Sequence, residues 1–110
     1  MRKSLDELFH HKAHVYILTN LTNTVLYVGV TSHLPKRVSQ HRNGEGSSFA
    51  RKYRLQKLIY FEGFDRITDA LYREKQLKKW RRSWKDRLIT NFNPSWEDLG
   101  DDVIKWNMET

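Results

Sequence analysis

A chain of 110 residues has room for one domain and no second sizeable core, and the absence of cysteine excludes a disulfide framework and a Cys-based zinc site. No apolar run reaches membrane-spanning length, and the mean hydropathy is -0.78, yet aromatic residues at 13% still allow a packed core. Lys and Arg number 20 against 13 Asp and Glu, a net charge of +7, which favours anionic partners, chiefly nucleic acid, through counterion release.

Residues 1–13 are polar and mixed, and read as an arm in which Ser4 can cap a short helix bearing Leu5, Leu8 and Phe9. No apolar h-region of a secretory signal is seen, so the expected location is the cytoplasm. His10, His11 and His14 form a small cluster. Without a fourth ligand in view it is read as solvent-exposed rather than as a metal site.

His14–Thr19 and Thr24–Val30 are strand-like, and Asn20–Asn23 is turn chemistry. A hairpin symmetric about Leu21-Thr22 sets Tyr16 opposite Tyr27, Val15 opposite Val28 and Ile17 opposite Leu26. The two tyrosines then share one face of the sheet, and Val15, Ile17, Leu26, Val28 and Val30 line the other. Taken alone, this is an ordinary cross-strand aromatic pair. Gly29 lets a backbone or ligand come close.

A helix follows over Leu34–Arg42, with Thr31 or Ser32 as its cap and Pro35 in its first turn. Arg37 and His41 stand four apart and so share a face, expected to be exposed and to look toward the end of the strand carrying Tyr27. A phenol, a guanidinium and an imidazole converge there. Asn43–Ser48 reads as a flexible loop, Phe49–Tyr53 as a basic helical turn, and Gln56–Phe61 as a third strand ended by Glu62-Gly63.

Asp65 or Thr68 opens the longest helix, whose apolar stripe is Ile67, Ala70, Leu71, Leu77 and Trp80. Glu74 falls on that stripe. A carboxylate facing inward needs a metal or an ion-pair partner, such as Arg37, Arg73 or a lysine. A basic belt of Arg73, Lys75, Lys78, Lys79, Arg81, Arg82, Lys85 and Arg87 follows, with Trp80 and Trp84 interleaved. Its few compensating acids suggest a phosphate-binding face built on Lys78, Lys79, Arg81, Arg82 and Lys85. Ser83–Asn91 is a further helix with Leu88 and Ile89 inward, ended by Asn93-Pro94. Trp96, Leu99 and Val103 have the spacing to dock residues 95–110, an acidic tail, on the body formed by residues 14–94. The fold class expected is α/β: a small three-stranded, mainly antiparallel sheet flanked by helices.

Val15-Tyr16-Ile17, Tyr27-Val28-Gly29, Leu34, Arg37, His41 and Glu74, in this order and spacing, resemble the GIY-YIG nuclease domain over roughly residues 14–94. The run Glu74–Arg82 followed by Asn93-Pro94 resembles the small stand-alone bacterial proteins of that family. His14 replaces the family's first glycine. Asn91 and Asn93 are candidates for an asparagine that members often carry beyond the glutamate.

The resemblance implies that one of Tyr16 and Tyr27 positions or deprotonates the attacking water. It implies that Arg37 stabilises phosphoryl charge, that His41 is a proton acceptor or second positioning group, and that Glu74 holds one divalent metal. A free phenol has a pKa near ~10, and a nearby Arg37 and a metal are expected to lower it. One carboxylate suits a single Mg²⁺ or Mn²⁺ ion that keeps several waters.

The function expected is a metal-dependent endonuclease, acting on DNA rather than RNA, with repair or recombination as its setting. The alternative is a non-catalytic nucleic-acid-binding module on the same scaffold. A protein-interaction domain ranks last, because it leaves Glu74 and the basic belt without a common reason.

Overall fold

The computed structural model describes residues 10–109. Its central strand is β1 (Ala13–Thr19), all seven residues of which are buried. The two neighbours, β2 (Leu26–Thr31) and β3 (Lys57–Phe64), both run antiparallel to it, in the order β2-β1-β3. The described helices are α1 (Leu34–Arg42), α2 (Ser48–Lys52), α3 (Ile67–Lys79), α4 (Arg82–Phe92) and α5 (Gly100–Glu109). None is long and apolar enough to cross a membrane. The expected α/β architecture is the one observed. The short helix expected within residues 1–9 lies outside the described residues.

Successive side chains of a strand point to opposite faces, so β1 feeds two cores. Tyr16 and Leu18 join Leu34, Val38, Ala50, Leu99 and Val103, under α1, α2 and α5. Val15 and Ile17 join Val28, Ala70, Leu77 and Ile89, under α3 and α4. Because both faces are covered, β1 reads as a continuous buried run rather than an alternating one.

The hairpin register differs from the expected one by two residues. Tyr16 pairs with Gly29, Leu18 with Tyr27, Val15 with Val30 and Ile17 with Val28. The turn is wider because Asn20 organises it: its Oδ1 accepts the amides of Thr24 at 2.9 Å and Val25 at 3.2 Å. Asn23 takes a left-handed φ of 57°. A slip of one residue would have reversed the faces, whereas a slip of two preserves them. Tyr16 and Tyr27 therefore still share a face, as diagonal neighbours with ring centroids 6.3 Å apart. The corrected register also accounts for Gly29, where a β-carbon would run into the ring of Tyr16.

Three other local expectations change. The cap of α1 is His33, whose Nδ1 accepts the Lys36 amide at 3.3 Å, while Thr31 Oγ1 braces the His33 amide at 3.0 Å. Strand β3 runs on through Glu62 and Gly63, because the Glu62 carboxylate accepts Tyr60 Oη at 2.6 Å and Arg73 Nε at 3.3 Å. On α3, Ile67 and Leu71 are exposed, so the inward stripe narrows to Ala70 and Leu77.

Candidate active site

The site begins with Tyr16, fixed at the centre of β1 over the space left by Gly29. Its Oη lies 3.1 Å from Nε2 of His41 in a buried hydrogen bond whose donor depends on the imidazole tautomer. Four-residue spacing puts Arg37 and His41 on one side of α1. That side faces the sheet: His41 is 5% exposed, not on an open surface as expected. The loop expected to be flexible closes over it, and a β-carbon at Gly46 would collide with the imidazole. The Tyr27 ring completes the group, 5.9 Å from His41.

Burial, and then the nearby Arg37 cation, hold the His41 pKa below its ordinary value, so the ring is neutral at neutral pH. Its Nδ1 and the Nε of Arg37 are buried without a hydrogen-bond partner. The Tyr16 phenol is pushed well above its ordinary pKa, chiefly by burial and next by Tyr27. Arg37 pulls it down, as expected, and Glu74 pushes it up, but burial outweighs the guanidinium. At Tyr16 desolvation penalises the charged form more than the Arg37 cation alone restores it.

Glu74 comes from α3, with a side chain 15% exposed and paired to Lys78 at 3.5 Å. Neither Arg37 nor Arg73 is its ion-pair partner, since Arg73 goes to Glu62. Lys78 is 53% exposed, and such a pair contributes little and exchanges readily. Among the described residues no group of three or more His, Cys, Asp or Glu could hold a metal ion. One carboxylate, near enough to the Tyr16 phenol to raise its pKa, fits an ion that keeps most of its waters, Mg²⁺ or Mn²⁺, and does not fit a dedicated protein cage.

Of the other singled-out residues, Lys78 reaches this cluster through its ion pair with Glu74. Asn93 is buried and fully engaged: its Nδ2 donates to the carbonyls of Ile59 and Glu97, and its Oδ1 accepts the Glu97 amide. Asn91 is exposed on α4. Neither hydrogen-bonds Tyr16 or His41, and Asn93 is a structural tie. His14, expected to be open to solvent, is buried against Phe61, and His11 leans on Asp65 at 3.4 Å. In the basic belt, Lys78, Lys79, Arg81 and Arg82 are exposed and Lys85 is half-buried. Arg82 also clamps the hairpin turn, donating to the carbonyls of Asn23 at 2.7 Å and Thr24 at 2.9 Å.

Two contacts had no reading as part of the site in the sequence. Gly46 presses on His41, and Phe49 stacks on Tyr27 with ring centroids 6.3 Å apart. The glycine in a polar loop and the aromatic opening a basic turn were the available signals.

Residues 12–87 match the family model described as the GIY-YIG catalytic domain. A UPF0213 protein of Clostridium perfringens is 40% identical over 78 residues, covering 71% of this chain and 83% of that protein. One from Natronomonas pharaonis is 35% identical over 78 residues, covering 71% and 91%. One from Pediococcus pentosaceus is 40% identical over 74 residues, covering 67% and 77%. No solved structure matches the chain.

Proposed function

The chain belongs to the GIY-YIG family, a family of nucleases, and from that premise we propose that it is a metal-dependent endonuclease that hydrolyses phosphodiester bonds in DNA. The observation that carries the reading is the convergence on one phenol: Tyr16 Oη bonds His41 and feels both Arg37 and Glu74.

In this reading Glu74 would hold one Mg²⁺ or Mn²⁺ ion, which would supply Lewis-acid chemistry to the phosphodiester. To do so its carboxylate would give up the Lys78 ammonium. Arg37, with an unpartnered buried Nε, stabilises negative charge developing on the phosphoryl oxygens. Tyr16, kept protonated by burial, is a positioning residue. Tyr27, only half-buried, is the phenol that orients the attacking water. His41, neutral and hydrogen-bonded to Tyr16, accepts a proton behind the phenols. The exposed belt cations hold flanking phosphates. The cellular setting proposed is the cytoplasm, in DNA repair or recombination.

A second reading, a nucleic-acid-binding module without catalysis, has the Glu74–Lys78 ion pair on its side. Purified protein incubated with plasmid, branched DNA and RNA, in Mg²⁺, Mn²⁺ or EDTA, separates the two. Metal-dependent cleavage of DNA supports the enzyme. Binding without cleavage under every metal condition overturns it in favour of the module.

A further inference from the structure

Two features of the sequence stay outside the catalytic cluster, the Trp80/Trp84 pair and Asn91, and the fold brings them together. Trp84, Arg87, Leu88 and Asn91 recur at helical spacing along one side of α4. With Trp80, at the end of α3, they line a cleft of about 340 Å³. The indoles meet edge to face, with centroids 6.0 Å apart and planes at 85°. Leu88 packs against the core and anchors the cleft, while Trp84 is 46% exposed at its mouth. The guanidinium of Arg81 lies 4.9 Å from the Trp84 ring centroid, and that of Arg73 lies 5.2 Å from Trp80.

We propose that this cleft binds an unpaired nucleobase, with Arg81 and Arg87 on its adjoining phosphates. The proposal rests on the nucleic-acid reading above and adds the form of substrate: a strand with a single-stranded segment. Flat indole walls suit a planar aromatic ring and offer nothing to a bare phosphate. No carboxylate lines the cleft, so its charge complements an anionic occupant and repels a cationic one. A nucleotide has both properties. Inside a duplex the base faces are already stacked, so the base that enters must be unpaired. Asn91 adds a paired donor and acceptor, the combination that reads a base edge.

The test measures binding in EDTA, where no cleavage occurs, using a short fluorescent single-stranded oligodeoxynucleotide, the same strand with abasic sites, and a duplex of equal length. The parent should hold the intact strand about tenfold or more tighter than the abasic one. Trp84→Ala should erase that difference while leaving duplex affinity unchanged. Asn91→Ala should weaken discrimination between bases. Equal affinity of the parent for intact and abasic strands overturns the proposal, and this comparison needs no variant to fold. A preference for bases that persists in Trp84→Ala also overturns it. So does sedimentation showing a dimer that Trp84→Ala dissolves without changing base-dependent binding, since the cleft would then be a self-interface. A parent that binds neither strand nor duplex removes the nucleic-acid reading itself. A parent that binds duplex and abasic strand as well as the intact one removes only the cleft.

Discussion

Tyr16 and Tyr60 point into opposite faces of the same sheet, and burial raises the pKa of both phenols. Their surroundings differ. Tyr60 donates to the Glu62 carboxylate at 2.6 Å, and Arg73 closes the network from α3. Tyr16 meets an imidazole whose other nitrogen has no partner, next to a guanidinium whose Nε has none either. A raised phenol pKa therefore does not mark a site by itself. Buried polar groups cost free energy unless they are paired, and in the proposed site the unpaired atoms are the ones left to meet substrate. The Tyr60 network is complete within the protein, and the Tyr16 cluster is not.

The widest separation between the two regions is expected from variants that remove charge. Glu74→Gln keeps shape and hydrogen bonding but removes the carboxylate charge, and metal-dependent cleavage should fall by orders of magnitude with DNA binding retained. Arg37→Ala should lose ~100-fold or more through lost stabilisation of phosphoryl charge. Both should melt near the parent temperature. Tyr60→Phe should behave in the opposite way, cleaving like the parent with a lower melting temperature. Melting temperature and cleavage rate measured on each variant decide the matter. A stable Glu74→Gln protein that cleaves like the parent removes the metal site, and one that is chiefly destabilised makes Glu74 a structural ion-pair partner.

Asn93 sharpens the comparison from the structural side. Its side chain satisfies two carbonyls and one amide at the junction of β3 and the end of α4. Asn93→Ala leaves those groups buried without partners, at about 1–3 kcal/mol. Each kcal/mol corresponds to roughly 4–8 °C in melting temperature for a domain near this size. The folded fraction should cleave with undiminished specific activity. A variant that keeps its stability but loses cleavage would return Asn93 to the site.

His41 supplies a pH signature. Its folded pKa lies below the unfolded value of about 6.5. The unfolded chain therefore binds a proton first as pH falls. Stability that depends on neutral His41 is present above about 6.5 and is lost as pH drops through the folded value. Cleavage should follow the same sense, with an acid limb below about 6.5. His41→Gln removes the titration and should abolish that limb. An unchanged limb in the variant would assign it to another group and end the role of His41 as proton acceptor.

Much of this arrangement was legible in the sequence, because short-range rules govern it. Pro35 and the polar turn before it mark the start of α1, and the expected bounds Leu34–Arg42 coincide with those observed. The shared face of Tyr16 and Tyr27 followed from a period of two, which a two-residue slip does not disturb. Long-range contacts were not legible. The register depended on the Asn20 side chain standing in for backbone within the turn, and the burial of His41 depended on Gly46 closing over it. The hold of Arg82 on Thr24 spans 58 positions and has no local signature.

That last contact leads to the smallest expected effect, within the basic belt. Lys79 and Arg82 are both exposed and carry equal charge, but they are engaged differently. Arg82 is paired to Asp86 at 2.7 Å and donates to two hairpin carbonyls, so its guanidinium is already partly committed. A phosphate gains less from a cation that must first leave other partners. Lys79→Ala should weaken DNA binding across sequences and reduce the log-log salt slope by about one. Arg82→Ala should change the slope less and lower the melting temperature more, because the Asn20–Val25 turn loses its clamp. Titrations of DNA binding at several salt concentrations, with melting curves for both variants, measure the two effects together. Equal loss of slope in the two variants would mean that Arg82 leaves the hairpin for phosphate at little cost. The belt would then act as one uniform cationic surface rather than as phosphate ligands interleaved with a structural clamp.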